Sequence, residues 1–325
     1  MRTIEQVRTA WRVTREHAWL WLFGLVLLGM SSGNIDLTLP VTYNLAGAPE
    51  HVGVPAVMGM VLVAGVLLVV GVTLWVLGAL ARGALIVALD RILREEDVTW
   101  GAALEAGLAG FGRVFLLGMP VAIPALLLTF VAYTAALSGL SRRGETPALT
   151  TVMAVLLALC GVLVVMSLFL TLVQHLADRA ALLEGLGPLA AFRRGWQLLA
   201  QNHARLRGGI LVWLGVSLTL RLLLAVPATG LILPTVFAAI AGRPVETGVL
   251  AILCVAGFLT VMVSLLFAVG NVFTAALWTL LFRECLAAEI AQADAAHRLV
   301  PDEASFAAEY APVTGATNDN ESGME

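Results

Sequence analysis

The sequence predicts an all-α, polytopic integral membrane protein, and three observations lead to that fold class. Of the 325 residues, 60% are hydrophobic and 13% are charged, whereas soluble domains average about 25% charged residues. Six apolar stretches, each long enough to cross about 30 Å of hydrocarbon as a helix, are separated by short segments that hold almost every charged residue. No polar run is long enough for a soluble domain, so we expect a single membrane domain over residues 1–300.

Six transmembrane helices are predicted along the chain. They cover about residues 18–33, 54–82, 114–138, 148–175, 208–240 and 248–282. The first is short, but its apolar core is long for a signal peptide and Gly29 and Ser31 form only a weak cleavage site, so we expect an uncleaved helix. The fifth is interrupted by Pro227 and Pro234. Residues 301–325 are polar and are expected to form a disordered cytoplasmic tail.

The distribution of arginine predicts how the chain threads the membrane. All 19 basic residues are arginine, and 15 of them lie in segments 1–17, 82–113, 176–207 and 283–325, whereas the three alternate loops hold 3. Because short cytoplasmic segments are enriched in positive charge, both termini are predicted to be cytoplasmic. The remaining arginine, Arg221, lies within the fifth predicted span.

Three cytoplasmic segments carry apolar residues at helical spacing beside arginines. These residues are Ile4, Val7, Trp11 and Ala18 in the first segment, Trp100, Leu104, Leu108, Phe111 and Phe115 in the second, and Leu189, Phe192, Trp196, Leu199 and Leu206 in the third. Such helices are expected to lie flat at the interface, with arginines such as Arg12, Arg193 and Arg194 directed to water or lipid phosphate. Gly187 and Pro188 mark the start of the third helix, since proline is favoured at the first helical position.

An arginine recurs at the cytoplasmic ends of the second, fourth and sixth spans. Arg82, Arg179 and Arg283 are about 100 residues apart, and each is followed by any residue, a small residue and leucine. This recurrence predicts three repeated units, each an interfacial amphipathic helix followed by a transmembrane hairpin. The alternative is that Leu- and Ala-rich membrane sequence generates the similarity by composition alone.

Ionisable and polar residues inside spans are the usual markers of function, because burying them in hydrocarbon is unfavourable. No Asp or Glu falls within the six predicted spans, so the candidate functional residues are Arg221 and Asn271. Arg221 either snorkels or packs structurally, or it contacts a ligand or lipid phosphate. Asn271 either joins two helices by a hydrogen bond or contributes to a binding site.

Catalytic, cofactor and metal sites have no signature in this sequence. It contains no P-loop or HExxH motif, no lysine, and no pair among its three cysteines with CxxC spacing. His175 stands alone near an interface, so a metal role for it is disfavoured. We therefore expect no catalytic residues, no cofactor and no enzymatic activity.

One motif favours a specific alternative. Glu105-Ala106-Gly107, followed by Val121-Ala122-Ile123-Pro124, resembles the EAA loop of ABC importer permeases. The loop's glycine position holds Phe111, and the motif lies much further from the C-terminus than in those permeases. The match is partial and displaced.

A wider resemblance covers about residues 1–290. The residues that carry it are Trp19-Leu20-Trp21-Leu22-Phe23-Gly24, Ala81-Arg82-Gly83-Ala84-Leu85-Ile86 with Asp90-Arg91, and Ala177-Asp178-Arg179 with Arg193-Arg194-Gly195-Trp196. This pattern resembles a family of uncharacterised bacterial six-span proteins, which are similar to the membrane domain attached to some glycerophosphoryl diester phosphodiesterases. The resemblance implies the bacterial inner membrane, but it implies neither catalytic residues nor a catalytic barrel domain.

These patterns favour a non-catalytic membrane protein that engages membrane lipids or a membrane or cytoplasmic protein partner, with no role for nucleic acid. The rival is a transporter or lipid translocator, including a divergent ABC-importer-type permease subunit. In that case Arg221 and Asn271 would line a path between the repeats.

Overall fold

The structure, a computed structural model, describes residues 2–32, 54–141, 146–240 and 248–299. Over these ranges the chain forms eight α-helices and a 3₁₀ turn at Ala18–Leu20, and it contains no strand. The helices are α1 (Arg2–Glu16), α2 (Trp21–Ser32), α3 (Val54–Ile92), α4 (Trp100–Ser141), α5 (Thr146–Leu183), α6 (Pro188–Gln201), α7 (His203–Ile240) and α8 (Gly248–Leu299). The predicted all-helical fold class is therefore confirmed over the described residues. The predicted tail at 301–325 lies outside them.

Five of these helices are long and apolar enough to cross a membrane. The parts of these helices that meet this criterion are Val69–Ile92, Trp100–Pro124, Ala158–Leu183, His203–Leu223 and Gly257–Ala295, and each contains an apolar stretch. They correspond to the second to sixth predicted spans. The region of the first predicted span forms a shorter apolar helix over Ala18–Leu28. The length and apolar composition of the five helices suggest a multi-pass membrane protein.

The outer surfaces of the long helices are themselves apolar. Exposed aliphatic side chains run along α3, α5, α7 and α8, including Val69, Val162, Val165, Leu211 and Val261. In water an apolar surface of this extent would drive association, whereas hydrocarbon solvates it. We refer to these exposed side chains as the apolar band.

Two of the three expected interfacial segments are separate helices. α1 ends at Glu16, and α6 begins at Pro188 directly after Gly187, as the proline position predicts. The second expected segment is different, because residues from Trp100 onward form the first part of the 42-residue helix α4. Nothing between Trp100 and Pro120 breaks the helix, so the stretch continues directly into the span.

Small residues allow the helices to approach one another closely. A Cβ atom on Gly107 of α4 would lie 2.9 Å from both the Ala84 nitrogen and the Leu80 carbonyl oxygen of α3. On α6, a Cβ on Gly195 would lie 2.8 Å from the Val173 carbonyl oxygen of α5. Membrane helices use such small residues because van der Waals packing must replace the hydrophobic effect between them.

An aromatic contact joins α2 to the long helices. The Phe23 ring of α2 stacks on Trp100 of α4 at a centroid distance of 4.3 Å, so α2 packs against one of the long apolar helices.

The chain divides into a main unit, Met1–Phe282, and a second unit, Arg283–Glu325. The described part of the second unit is the final section of α8.

Gly107→Ala is expected to destabilise the fold by about 1–3 kcal/mol, because the added methyl meets the α3 backbone and overpacks the contact. Gly112→Ala on the same helix is the matched control, since a Cβ there has no neighbour within 4 Å. Thermal unfolding in detergent, followed by tryptophan fluorescence, should show a lower Tm for the first variant only. Equal Tm values for the two variants would show that the α3–α4 contact is looser than described.

Candidate functional site

The first polar site of the structure is a buried group of charges in the main unit. Arg82 of α3 and Asp178 of α5 form an ion pair with an Nη1–Oδ2 distance of 3.5 Å, and the Asp178 side chain is 0% exposed. The adjacent Arg179 is also buried. Successive residues of a helix point about 100° apart, so Asp178 and Arg179 face different neighbours. We call Arg82, Asp178, Arg179 and Thr279 the arginine cluster.

Arg179 connects α5 to α8. Its Nε donates to the Thr279 hydroxyl oxygen at 3.2 Å, and its Nη2 donates to the Ala275 carbonyl oxygen at 2.8 Å. Its Nη1 donates to the His175 carbonyl oxygen one turn earlier on α5. The Thr279 hydroxyl donates in turn to Ala275, at 2.8 Å. The planar guanidinium suits this arrangement because its five N–H groups can satisfy several fixed acceptors at once.

Aromatic rings pack against the same turn of α5. The His175 ring stacks on Trp278 of α8 at a centroid distance of 5.1 Å and meets the edge of Trp213 of α7 at 5.6 Å. The two tryptophans meet each other at 6.0 Å. His175 is thus part of an aromatic contact among three helices. Within the described part of the chain, no group of three or more His, Cys, Asp and Glu side chains could hold a metal ion.

The arginine cluster is therefore a polar cross-link between α3, α5 and α8. Arg82 bridges α3 to α5 through Asp178, and Arg179 bridges α5 to α8 through Thr279 and Ala275. A third arginine, Arg113 of α4, donates to the Ala181 carbonyl oxygen near the end of α5 at 3.3 Å. Cations at this end of α5 also interact favourably with its dipole.

Asp178 lies just after the predicted end of the fourth span, on the same continuous helix. The fourth span was predicted to end at residue 175, which left the predicted spans without Asp or Glu. Helix α5 continues to Leu183 and carries Asp178, and helix α3 continues to Ile92 and carries Asp90. The signal that points to this site is an acidic residue directly before a recurring arginine. Arg283, the third recurring arginine, is half-buried and belongs to the second unit.

Arg221 and Asn271 occupy two different environments. Arg221 is exposed on α7 and forms no hydrogen bond or ion pair with any residue that the structure describes. The Asn271 Nδ2 of α8 donates to the Gly24 carbonyl oxygen of α2 at 3.0 Å, which makes it a link between two helices. Leu220 of α7 lies against Gly270 of α8. Arg221 and Asn271, the residues that follow them, are therefore at similar levels on adjacent helices. No hydrogen bond joins them.

The second polar site is on the surface of α6. An open groove of about 310 Å³ is lined by Phe192, Arg193, Trp196 and Gln197, and we call it the α6 groove. Trp196 is 51% exposed, and its ring meets the edge of Phe169 of α5 at a centroid distance of 5.0 Å. The α6 groove therefore borders the apolar band.

Arg193 and Arg194 are adjacent in sequence but differ in environment. The Arg194 Nε lies 3.4 Å from Glu184 Oε2, just beyond the end of α5, and both side chains are partly buried. Arg193 is exposed in the α6 groove and has no ion pair or hydrogen bond with a described residue. One arginine thus holds α6 in place, and the other presents an uncompensated charge.

The remaining expected interfacial residues lie on α1 and α4. Trp11 is 54% exposed and meets the edge of Phe273 of α8 at 6.4 Å, and Arg12 beside it is exposed. Phe111 of α4 is half-buried against Phe115, at a centroid distance of 5.5 Å. Phe111 is thus part of an aromatic contact along α4, whereas Trp11 and Trp196 present much of their surface outward.

Comparisons with protein-family models, with curated proteins and with solved structures found no match. The resemblance to a bacterial six-span family therefore stays a prediction.

Asp178→Leu is expected to destabilise the protein by about 1–3 kcal/mol, because it removes the buried carboxylate that Arg82, whose side chain is 24% exposed, contacts at 3.5 Å. The double variant Arg82→Leu with Asp178→Leu should regain part of this loss, giving a coupling of about 1 kcal/mol or more in a double-mutant cycle. Unfolding of the purified variants in detergent measures both quantities.

Arg91→Leu provides the control for loss of a charge on α3, since Arg91 pairs with no described residue. It should change stability little. If the two single losses at Arg82 and Asp178 simply add in the double variant, the ion pair does not couple α3 to α5.

Proposed function

We propose that this protein is a non-catalytic polytopic membrane scaffold whose helices α1 and α6 engage lipid or a partner protein at the cytoplasmic face. One observation carries the proposal. Both helices bury one face in the protein and present aromatic, aliphatic and arginine side chains together on the other. Trp11 on α1 and Trp196 on α6 are the largest of these exposed side chains.

The pattern on α1 follows from its helical geometry. Ala10, Val13 and Thr14 are buried, whereas Ile4, Arg8, Trp11 and Arg15 share an exposed face at spacings of three and four residues. Water solvates the arginines on such a face but not the aliphatic and aromatic groups between them. The headgroup region of a bilayer solvates both, so this composition supports an interfacial position.

The exposed face of α6 has the same composition. Leu189 and Trp196 lie beside Arg193 on it, and Ala191, Gly195 and Leu198 form the buried face. The Arg194–Glu184 ion pair and the close contact of Gly195 with α5 hold the helix against the span. A helix fixed in this way keeps its exposed face at one level relative to the apolar band.

We further propose that α2 is the first of six spans and that the chain consists of three units of interfacial helix and hairpin. α2 packs against two long apolar helices, through Phe23 on Trp100 and Gly24 on Asn271, which supports its membership of the bundle. Arg82 and Arg179 occupy equivalent places in the recurring motif, and both join the arginine cluster. In this proposal both termini lie in the cytoplasm of a bacterial cell, as the arginine distribution favours.

The rival function, transport or lipid translocation, has less support among the described residues. The Asn271 amide is engaged by the α2 backbone, where it stabilises a helix contact. Arg221 is exposed among Leu218 and Leu222, a position from which a long side chain can snorkel.

Six crossings place both termini on one side of the membrane, whereas five place them on opposite sides. Green fluorescent protein, which fluoresces only when it folds in the cytoplasm of bacteria, is expected to be fluorescent as a fusion to either terminus. Alkaline phosphatase inserted between residues 34 and 53 is expected to be active, because that segment would be external. Fluorescence from one terminal fusion alone would exclude the six-span arrangement.

Nitroxide labels on α1 and α6 are expected to report an interfacial depth. Cysteine is introduced at Ile4 or at Leu189 after the three native cysteines are replaced, and accessibility to oxygen and to a polar nickel complex is measured in liposomes. Labels at both positions should lie about 5–10 Å into the headgroup and acyl boundary.

Labels at the adjacent exposed positions Glu5 and Ala190 serve as matched controls and should be closer to water. If the labels at Ile4 and Leu189 are as accessible to the nickel complex as these controls, α1 and α6 do not lie in the interface.

A further inference from the structure

We propose that the α6 groove binds the phosphate headgroup of an anionic phospholipid, with Arg193 as the phosphate ligand. The inference rests on the proposed interfacial position of α6 and adds the chemistry of the ligand. Three features of the groove support it, namely its charge, its aromatic walls and its continuity with the apolar band.

The charge of the α6 groove comes from Arg193. α6 contains two arginines and no acidic residue, and Arg194 is paired with Glu184. Arg193 lines the groove and is exposed there without a partner among the described residues. A guanidinium presents a planar set of donors that matches phosphate oxygens in a bidentate geometry, so a phosphate group is a complementary ligand.

The walls of the α6 groove suit the region just below a phosphate. Phe192 and Trp196 supply aromatic surface, and Gln197 supplies an amide beside the arginine. Tryptophan favours the headgroup level of a bilayer because one part of its ring system is apolar and the indole N–H is polar. The groove is open and has a volume of about 310 Å³, which leaves room for a headgroup at its surface.

Continuity with the apolar band identifies the ligand as a lipid. Trp196 contacts Phe169, which is itself exposed on α5 beside Val165 and Met166. Acyl chains can therefore follow the apolar surface of α5 while the phosphate contacts Arg193. Inorganic phosphate would use only the charge, and an acidic peptide would leave the adjoining apolar surface without a matching group.

The adjacent arginines provide a matched test. Wild-type protein, Arg193→Gln and Arg194→Gln are purified in mild detergent, mixed with equimolar phosphatidylglycerol and phosphatidylcholine of identical acyl chains, and examined by native mass spectrometry. Wild type should retain phosphatidylglycerol preferentially. Arg193→Gln should reduce the ratio of the two bound lipids about fivefold, the contribution of one basic residue near an anionic surface.

Arg194→Gln should lower the Tm, because it removes the ion pair with Glu184, but it should keep the lipid preference. Arg193→Lys, which keeps the positive charge but not the planar set of donors, should retain part of the preference. A Tm equal to that of wild type for both Arg193 variants would exclude a folding defect as the cause of the loss. Equal loss of preference in Arg193→Gln and Arg194→Gln would overturn the proposal in favour of a diffuse basic surface. Displacement of phosphatidylglycerol by millimolar inorganic phosphate would overturn it in favour of a free-phosphate site.

The nitroxide depth at Leu189 separates this inference from the proposed function. If the label at Leu189 is interfacial but wild-type protein shows no lipid preference, the headgroup site is excluded and the interfacial role of α6 still stands. If the label at Leu189 is in water, both the interfacial role of α6 and the headgroup site are excluded.

Discussion

The buried charges of Arg82, Asp178 and Arg179 constrain how three helices of the bundle meet. A charge among apolar side chains is unfavourable unless a partner of opposite sign or several fixed dipoles surround it. Asp178 supplies the carboxylate, and the neighbouring Arg179 is surrounded by the Thr279 hydroxyl and backbone carbonyl groups. These contacts specify which turns of α3, α5 and α8 lie together, a register that uniformly aliphatic surfaces would leave open.

The interior and the surface of the molecule thus carry different tasks. Several polar groups in the interior, including Asn271 on Gly24 and Arg179 on Thr279, join helices. Much of the outward surface of the long helices is aliphatic and matches hydrocarbon. The outward faces of α1 and α6 differ from the interior and from the aliphatic surface, because they combine exposed arginines with half-exposed tryptophans. Function is therefore best sought on those two helices.

Local sequence determined what could be predicted. Long apolar stretches and Pro188 after Gly187 define helices through neighbouring residues alone, so five of the long helices and the start of α6 were predictable. The burial of Asp178 was not, because its partner Arg82 is distant in sequence and lies on another helix. Likewise, no local pattern distinguishes Arg193 from Arg194. Their environments differ because Glu184, just beyond the end of α5, forms an ion pair with Arg194 and not with Arg193.

The contact of Gly195 with α5 has a mechanical consequence. The Ala177 nitrogen lies 2.9 Å from where a Cβ on Gly195 would stand, and Ala177 directly precedes Asp178. Close-packed contacts have no spare volume, so they transmit displacement in both directions. A displacement of α6 is therefore transmitted to the turn of α5 that carries Asp178 and Arg179. Through the contact at Gly195, a change in the position of α6 and a change in the packing of Asp178 and Arg179 would each affect the other.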